Sequence, residues 1–108
     1  MVYASVYVKY NAGIRDLMAL FICKHAEGCL VKQIHGSIYN ANCISAAPET
    51  LQRFLRHFKT DIQSETAQDC IWLGDDDYCL EIYVYAINGA LVEKDKYMVS
   101  RVFLLLSV

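Results

Sequence analysis

The spacing of apolar residues changes once near the amino terminus, and this change constrains the fold more than any other feature of the sequence. From Val2 to Tyr10, apolar residues occupy every second position, a period that predicts a strand with one buried face. From Ile14 to His25, the side chains of one stripe recur at every third or fourth position, and Gly28 then supplies a stop. This second pattern predicts an amphipathic helix, so the chain begins with a strand followed by a helix.

Two short strands are predicted next, on either side of His35-Gly36. Leu30–Ile34 is the first, and Ile38–Ala46 is the second, although the polar residues Asn40 and Asn42 interrupt its apolar pattern. Both segments are short and are bounded by turn-forming residues, which favours strands over helices.

A second helix and further strands complete the chain. Pro48 suits the first turn of a helix, and an apolar stripe then continues until the helix ends between Gln63 and Ala67. Asn88-Gly89 is the strongest short hairpin signal in the sequence. The remaining apolar segments are interpreted as strands, at residues 70–73, 78–87 and 97–106.

The predicted fold class is α+β, with two helices packed on a mainly antiparallel sheet. The element order resembles the split βαββαβ of ferredoxin-like folds with an added carboxyl-terminal hairpin. A length of 108 residues suits one domain, so we expect residues 1–108 to form a single unit. Ferredoxin-like folds include enzymes, regulators and nucleic-acid binders, so the resemblance implies no particular activity.

Composition adds one functional indication. Hydrophobic residues make up 56% of the chain, above the usual globular share of about 45–50%. Either the core takes nearly all of them or some apolar surface is left for a partner. The net charge of −2 favours neither nucleic acid nor any other class of partner.

The termini and the cysteines predict an intracellular protein. Residues 1–10 alternate and carry no basic start or cleavage site, so we expect no signal peptide. The apolar run near the carboxyl terminus is far shorter than the roughly 20 residues that cross a bilayer. Five cysteines without close pairs indicate reduced thiols, and we expect a cytoplasmic or nuclear location.

No stretch of the sequence predicts a catalytic or cofactor site. Cys23, His25, Cys29 and His35 gather four metal-ligand types within a short segment, but their spacing does not match the paired ligands of structural zinc sites. Asp75–Asp77 is interpreted as a solvated turn. We therefore predict no catalytic residues, no metal and no cofactor, and keep a small enzyme or metal-binding protein that uses Cys and His residues as an alternative.

Four tyrosines are the most informative candidate binding residues. Tyr3 and Tyr7 share one face of the first strand, and Tyr83 and Tyr85 share one face of a later strand. The opposite face of that later strand is purely apolar, which indicates that its tyrosine face is partly exposed. Exposed tyrosines suit protein interfaces because they combine a large apolar area with a hydroxyl group. We predict a protein-binding patch formed by these four residues.

A second candidate surface lies on the second helix. Arg53, Arg56 and His57 project away from its apolar stripe, so they are candidates for contact with phosphate or an acidic partner. A nucleic-acid-binding accessory protein that uses this basic face is therefore an alternative function.

The carboxyl-terminal segment is a candidate dimer strand. It is apolar on both faces, and an exposed edge strand of this kind invites association. We therefore predict a homodimer, with a strand that comprises Val102, Phe103, Leu104, Leu105 and Leu106.

The favoured function is a small non-enzymatic protein-interaction module, inhibitory or regulatory, that acts through the tyrosine-bearing face of its sheet. Its support is the apolar surplus, the placement of the tyrosines, and the lack of a catalytic motif. The sequence does not identify the partner.

Overall fold

The fold comes from a computed structural model, which describes residues 3–63, 71–72, 78–99 and 101–102. The first part of the chain forms β1 (Tyr3–Asn11), a single turn of 3-10 helix (Ala12–Ile14), α1 (Arg15–His25), β2 (Leu30–Ile34), β3 (Tyr39–Ser45) and α2 (Pro48–Gln63). The second part forms β4 (Ile71–Trp72), β5 (Tyr78–Ala86), β6 (Leu91–Val99) and β7 (Arg101–Val102).

Five strands form one antiparallel sheet in the order β2-β3-β1-β5-β6. Both helices contact β1 and each other. The predicted α+β class, with two helices on a mainly antiparallel sheet, is confirmed. The comparison with ferredoxin-like folds remains a resemblance in element order. The short strands β4 and β7 pair separately, and no helix in the described ranges is long and apolar enough to cross a membrane.

The core lies between the helices and one face of the sheet. Its side chains come from alternate positions of the three central strands and from the facing stripes of α1 and α2. Phe58 is central to it, because its ring meets Phe21 edge to face at 5.2 Å and stacks on Phe54 at 5.3 Å. The buried hydrophobic strand residues are Val6, Val8, Tyr10, Ile44, Leu80, Ile82 and Val84.

Asn40 and Asn42 do not interrupt β3, although they broke its apolar pattern in the sequence. Both are buried on the helix side of the sheet. Asn42 Nδ2 donates a hydrogen bond of 2.8 Å to the hydroxyl of Tyr10, and Asn40 Oδ1 accepts one from the backbone N–H of Gly36. Each amide therefore has a partner, which is the condition for burying a polar side chain.

The hairpin predicted at Asn88-Gly89 joins β5 to β6. Gly89 has φ of +83°, a conformation that costs little only for glycine, and its N–H donates to the carbonyl of Ala86. The strand after this turn begins at Leu91, whereas the sequence predicted a strand only from residue 97. The start of this strand was not predicted because it is charged on both faces: Lys94 faces one side of the sheet and Glu93 faces the other.

Candidate binding surface

One face of the five-stranded sheet is covered by neither of the two described helices. The core and both helices lie on the other face, so residues at the alternate positions of β1, β3 and β5 point away from them. We call this the open face and define it by three rows of residues paired across the strands. From β2 to β6 the rows are Leu30-Ser45-Ser5-Tyr85-Leu91, Lys32-Cys43-Tyr7-Tyr83-Lys94 and Ile34-Ala41-Lys9-Glu81-Lys96.

Three tyrosines meet at the centre of the open face. Tyr7 of β1 pairs directly with Tyr83 of β5. The rings of Tyr7 and Tyr85 meet edge to face, with centroids 5.4 Å apart and planes at 83°. All three side chains are half-buried, so each keeps part of its ring accessible to a partner.

Tyr3 does not join this cluster. The register of β1 against β5 shifts between Tyr3 and Ser5, and Tyr3 packs against the hydrophobic core. A shift of one residue moves a side chain to the other face of a sheet. The period of two in the sequence predicted that Tyr3 and Tyr7 share a face. The bulge between them could not be predicted, because it does not change the pattern of apolar residues.

Lysines surround the tyrosines. Lys94 Nζ lies 5.3 Å from the ring centroid of Tyr83, and Lys9 Nζ lies 4.7 Å from that of Tyr39 on β3. Both contacts are cation–π interactions. Lys32 stands at the β2 end of the row that holds the tyrosine pair. A row of five strands spaced by about 4.8 Å is about 19 Å wide, so positive charge flanks the aromatic centre on both sides.

Glu81 is the only carboxylate in the three rows. It accepts a hydrogen bond from the hydroxyl of Tyr83 and pairs across the strands with Lys9 and Lys96. The hydrogen bond and the nearby lysines lower the pKa of Glu81, although partial burial opposes them. The same hydrogen bond, together with partial burial, raises the pKa of Tyr83 to about 12. Glu81 is therefore charged at neutral pH and already compensated by its neighbours.

The lysines of this face were not predicted from the sequence. Lys9 follows Tyr7 at the next position on the same face of β1, so its placement was available from the period of two. Lys94 could have been placed opposite Tyr83 by extending the hairpin register back from Asn88-Gly89. No local signal indicated Lys32, because its position depends on the pairing of β2 with β3.

The predicted basic residues of α2 lie on the helix side of the molecule, away from the open face. Arg53, Arg56 and His57 are all exposed. Arg53 and His57 line a cleft of about 480 Å³ together with Lys24, His25, Glu27, Gly28 and Phe54, whereas Arg56 is not part of its lining. Two of the three predicted residues therefore line the cleft, whereas Arg56 lies elsewhere on the exposed surface of α2.

His25 is the most buried ionisable residue at this cleft. Its side chain is 9% exposed, and its Nε2 lies 2.9 Å from Asp61 Oδ2. That nitrogen nevertheless has no hydrogen-bond partner of acceptable geometry among the described residues. Burial lowers the pKa of His25, and the nearby Asp61 opposes this effect only in part. Lys24 also pairs with Asp61, at 3.1 Å, so the carboxylate compensates two neighbours.

The four metal-ligand residues noted in the sequence do not converge. Within the described ranges, no group of three or more His, Cys, Asp or Glu residues is placed to hold a metal ion. Cys23 is exposed, whereas Cys29 is partly buried against the core. His35 is exposed beyond the end of β2. Asp75–Asp77 lies outside the described residues.

The candidate dimer strand is described only at its start. Val102 belongs to β7, where it pairs with Ile71 of β4. Residues 103–106 lie outside the described part of the chain. Dimerisation through this segment remains a prediction.

Comparison with known proteins adds no functional assignment. No protein-family model matches the chain, and neither a curated protein nor a solved structure is significantly similar to it. Function must therefore be argued from the geometry of the surface. The open face offers aromatic contact area and hydroxyl groups, which are features of a binding surface, and lysines lie around them.

Proposed function

We propose that this protein is a small, non-enzymatic interaction module that binds a protein partner on the open face of its sheet. The observation that carries the proposal is the strand register that brings Tyr7, Tyr83 and Tyr85 together on that face. Within the described residues no helix covers the tyrosines, and each of them keeps part of its surface exposed.

The chemistry of the tyrosines supports binding. A tyrosine ring supplies about 150–250 Å² of contact area, and its few rotatable bonds make it cheap to order. The edge-to-face contact of Tyr7 with Tyr85 and the hydrogen bond from Tyr83 to Glu81 fix all three rings before a partner arrives. A surface that is ordered in advance loses less entropy on binding.

The size of the open face indicates the kind of complex. Five strands that average about eight residues span roughly 19 by 27 Å, or on the order of 500 Å² in projection. A standard interface buries about 800 Å² on each partner. The open face therefore suits a peptide segment or a transient domain contact better than an obligate assembly.

Three finer expectations belong to the same proposal. We propose that the module acts as an inhibitor or regulator of its partner, that it works in the cytoplasm or nucleus, and that the segment Val102–Leu106 forms a homodimer. The apolar character of that segment supports the last point. Native mass spectrometry at several protein concentrations tests it, because a protein that stays monomeric throughout would exclude the dimer.

The experiment that tests the main proposal is selection from a random displayed-peptide library on the immobilised wild-type protein. Selected peptides are then measured against Tyr83→Ala/Tyr85→Ala and against Arg53→Ala/Arg56→Ala, which changes two exposed residues on α2. We expect binding to be at least about tenfold weaker in the tyrosine variant, because loss of hot-spot aromatics costs more than about 1.4 kcal/mol.

The α2 variant is the matched control, and its affinity should stay within about twofold of wild type. If the selected peptides bind the tyrosine variant as tightly as wild type, or if the library yields no binder, the proposal is wrong.

A further inference from the structure

We propose that the partner presents an acidic segment to the open face, with Asp and Glu side chains that pair with its lysines. This inference rests on the proposed function and specifies the chemistry of the partner. Three features of this face support it: its charge, the lack of ion pairs at its lysines among the described residues, and the orientation of its aromatic rings.

The open face is positively charged in a chain whose net charge is −2. Its rows contain four lysines, at positions 9, 32, 94 and 96, and the single carboxylate of Glu81. The acidic residues of β6, Glu93 and Asp95, point to the opposite side, where both pair with Lys59 of α2. The sheet therefore separates the charges of β6, with positive charge on the open face and negative charge towards the helix.

The four lysines have no ion-pair partner in the described part of the chain. Every salt bridge there involves Arg15, Lys24, His25 or Lys59 instead. Glu81 lowers the positive charge of the face but does not lie in a salt bridge with any of its neighbours. Complementary charge on a partner speeds association and selects against other partners, so ammonium groups that have no ion pair among the described residues favour a negatively charged partner.

The ring geometry favours an acidic protein segment over single-stranded nucleic acid. Bases stack on aromatic faces that are open to solvent. Here Lys94 covers one face of the Tyr83 ring and Lys9 covers one face of the Tyr39 ring. The rings of Tyr7 and Tyr85 are nearly perpendicular, so they do not offer successive parallel platforms. Carboxylates need no such platform, because they pair directly with lysine ammonium groups and tyrosine hydroxyls.

The test uses the peptides selected on the wild-type protein and two charge-reversal variants of equal net charge. Lys94→Glu/Lys96→Glu reverses two charges on the open face, and Arg53→Glu/Arg56→Glu reverses two exposed charges of α2, on the helix side of the molecule. We expect the selected peptides to be enriched in Asp and Glu. Their affinity should fall at least about tenfold in the lysine variant and stay within about twofold of wild type in the arginine variant.

The salt dependence of the wild-type protein provides a measurement that needs no variant. We expect the affinity for the selected peptides to fall as ionic strength rises, because screening weakens attraction between exposed charges. Circular dichroism checks the fold of both variants, and an unchanged spectrum is expected because the reversed residues are exposed.

Three results would overturn the inference. The first is a set of selected peptides that are not enriched in Asp and Glu. The second is equal binding of the peptides to the two charge-reversal variants. The third is an oligothymidine that binds the wild-type protein more tightly than every selected peptide and whose binding is lost in the lysine variant. The last result would identify nucleic acid as the partner. If peptides that are not acidic still lose binding in Tyr83→Ala/Tyr85→Ala, the proposed function stands and only the acidic partner is wrong.

Discussion

Tyr7 and Tyr85 form an edge-to-face aromatic contact across the β1–β5 ladder, with their ring centroids 5.4 Å apart. The two residues are not direct cross-strand partners, because Tyr7 pairs with Tyr83 and Tyr85 pairs with Ser5. The contact therefore runs along the diagonal of the ladder. It links two rows of the open face, so a change at either residue is expected to disturb both rows.

The turn between β5 and β6 tests the role of backbone conformation. We expect Gly89→Ala to destabilise the protein by about 1 kcal/mol, because a side chain at positive φ costs about 1–2 kcal/mol. Urea unfolding measures this change. Gly13→Ala is the matched control: Gly13 does not have positive φ and a Cβ there meets no atom within 4 Å, so no loss of stability is expected. Equal losses in both variants would contradict this account of the turn.

The hydrogen bond from Asn42 to Tyr10 tests the buried polar pair. Tyr10→Phe removes the acceptor of a 2.8 Å bond and leaves a buried amide unpaired, which is expected to cost about 1–3 kcal/mol. Replacing both residues, as Tyr10→Phe with Asn42→Leu, should recover part of that loss because no unpaired donor remains. Chemical denaturation of the single and double variants measures the coupling, and strictly additive losses would show that the two side chains act independently.

Stability is expected to fall as pH drops below about 6.5, the ordinary pKa of histidine. Burial lowers the pKa of His25 in the folded protein, so the unfolded chain binds a proton more readily than the folded one between the two pKa values. Stability therefore rises with pH across that window. Thermal unfolding from about pH 7.5 to about pH 5.5 measures the slope.

The control for this pH dependence is His35→Gln, at an exposed position. His25→Gln should flatten the slope, whereas His35→Gln should retain it. If both variants keep the wild-type slope, another group causes it.

Lys59 is expected to hold the edge strand β6 against α2. It pairs with Glu93 and, at 2.8 Å, with Asp95, and its side chain is 23% exposed. We expect Lys59→Met to cost about 0.2–1 kcal/mol for each of the two ion pairs and to speed amide hydrogen exchange along β6. Lys94→Met on the other face of the same strand is the control. Equal exchange rates in the two variants would show that the ion pairs do not anchor the strand.

Much of the fold followed from periodicity. The bounds of β2 and the first residue of α2 match the prediction. Gly28, before β2, and Pro48, at the start of α2, are strong local signals. The start of β6 did not follow, since charges on both of its faces hide the apolar pattern of a strand. Its stability depends on pairing with β5 and on Lys59, neither of which is local in the sequence.

The candidate site was predictable only in part. Tyr83 and Tyr85 were placed correctly on one face of their strand, as was Tyr7, but the bulge that removes Tyr3 is a property of the β1–β5 register. The concentration of lysines on the open face also depends on which strands are neighbours. Side-chain alternation assigns a residue to a face of its own strand, and only the strand order brings four lysines from three strands together.

The most direct test of the central claim is fluorine NMR of protein labelled with 3-fluorotyrosine, titrated with a selected peptide and assigned with single Tyr→Phe variants. Tyr10, which is buried on the helix side, serves as the internal control. We expect the signals of Tyr7, Tyr83 and Tyr85 to move together to saturation while that of Tyr10 stays in place. Saturated binding that leaves the three open-face signals unmoved would contradict it.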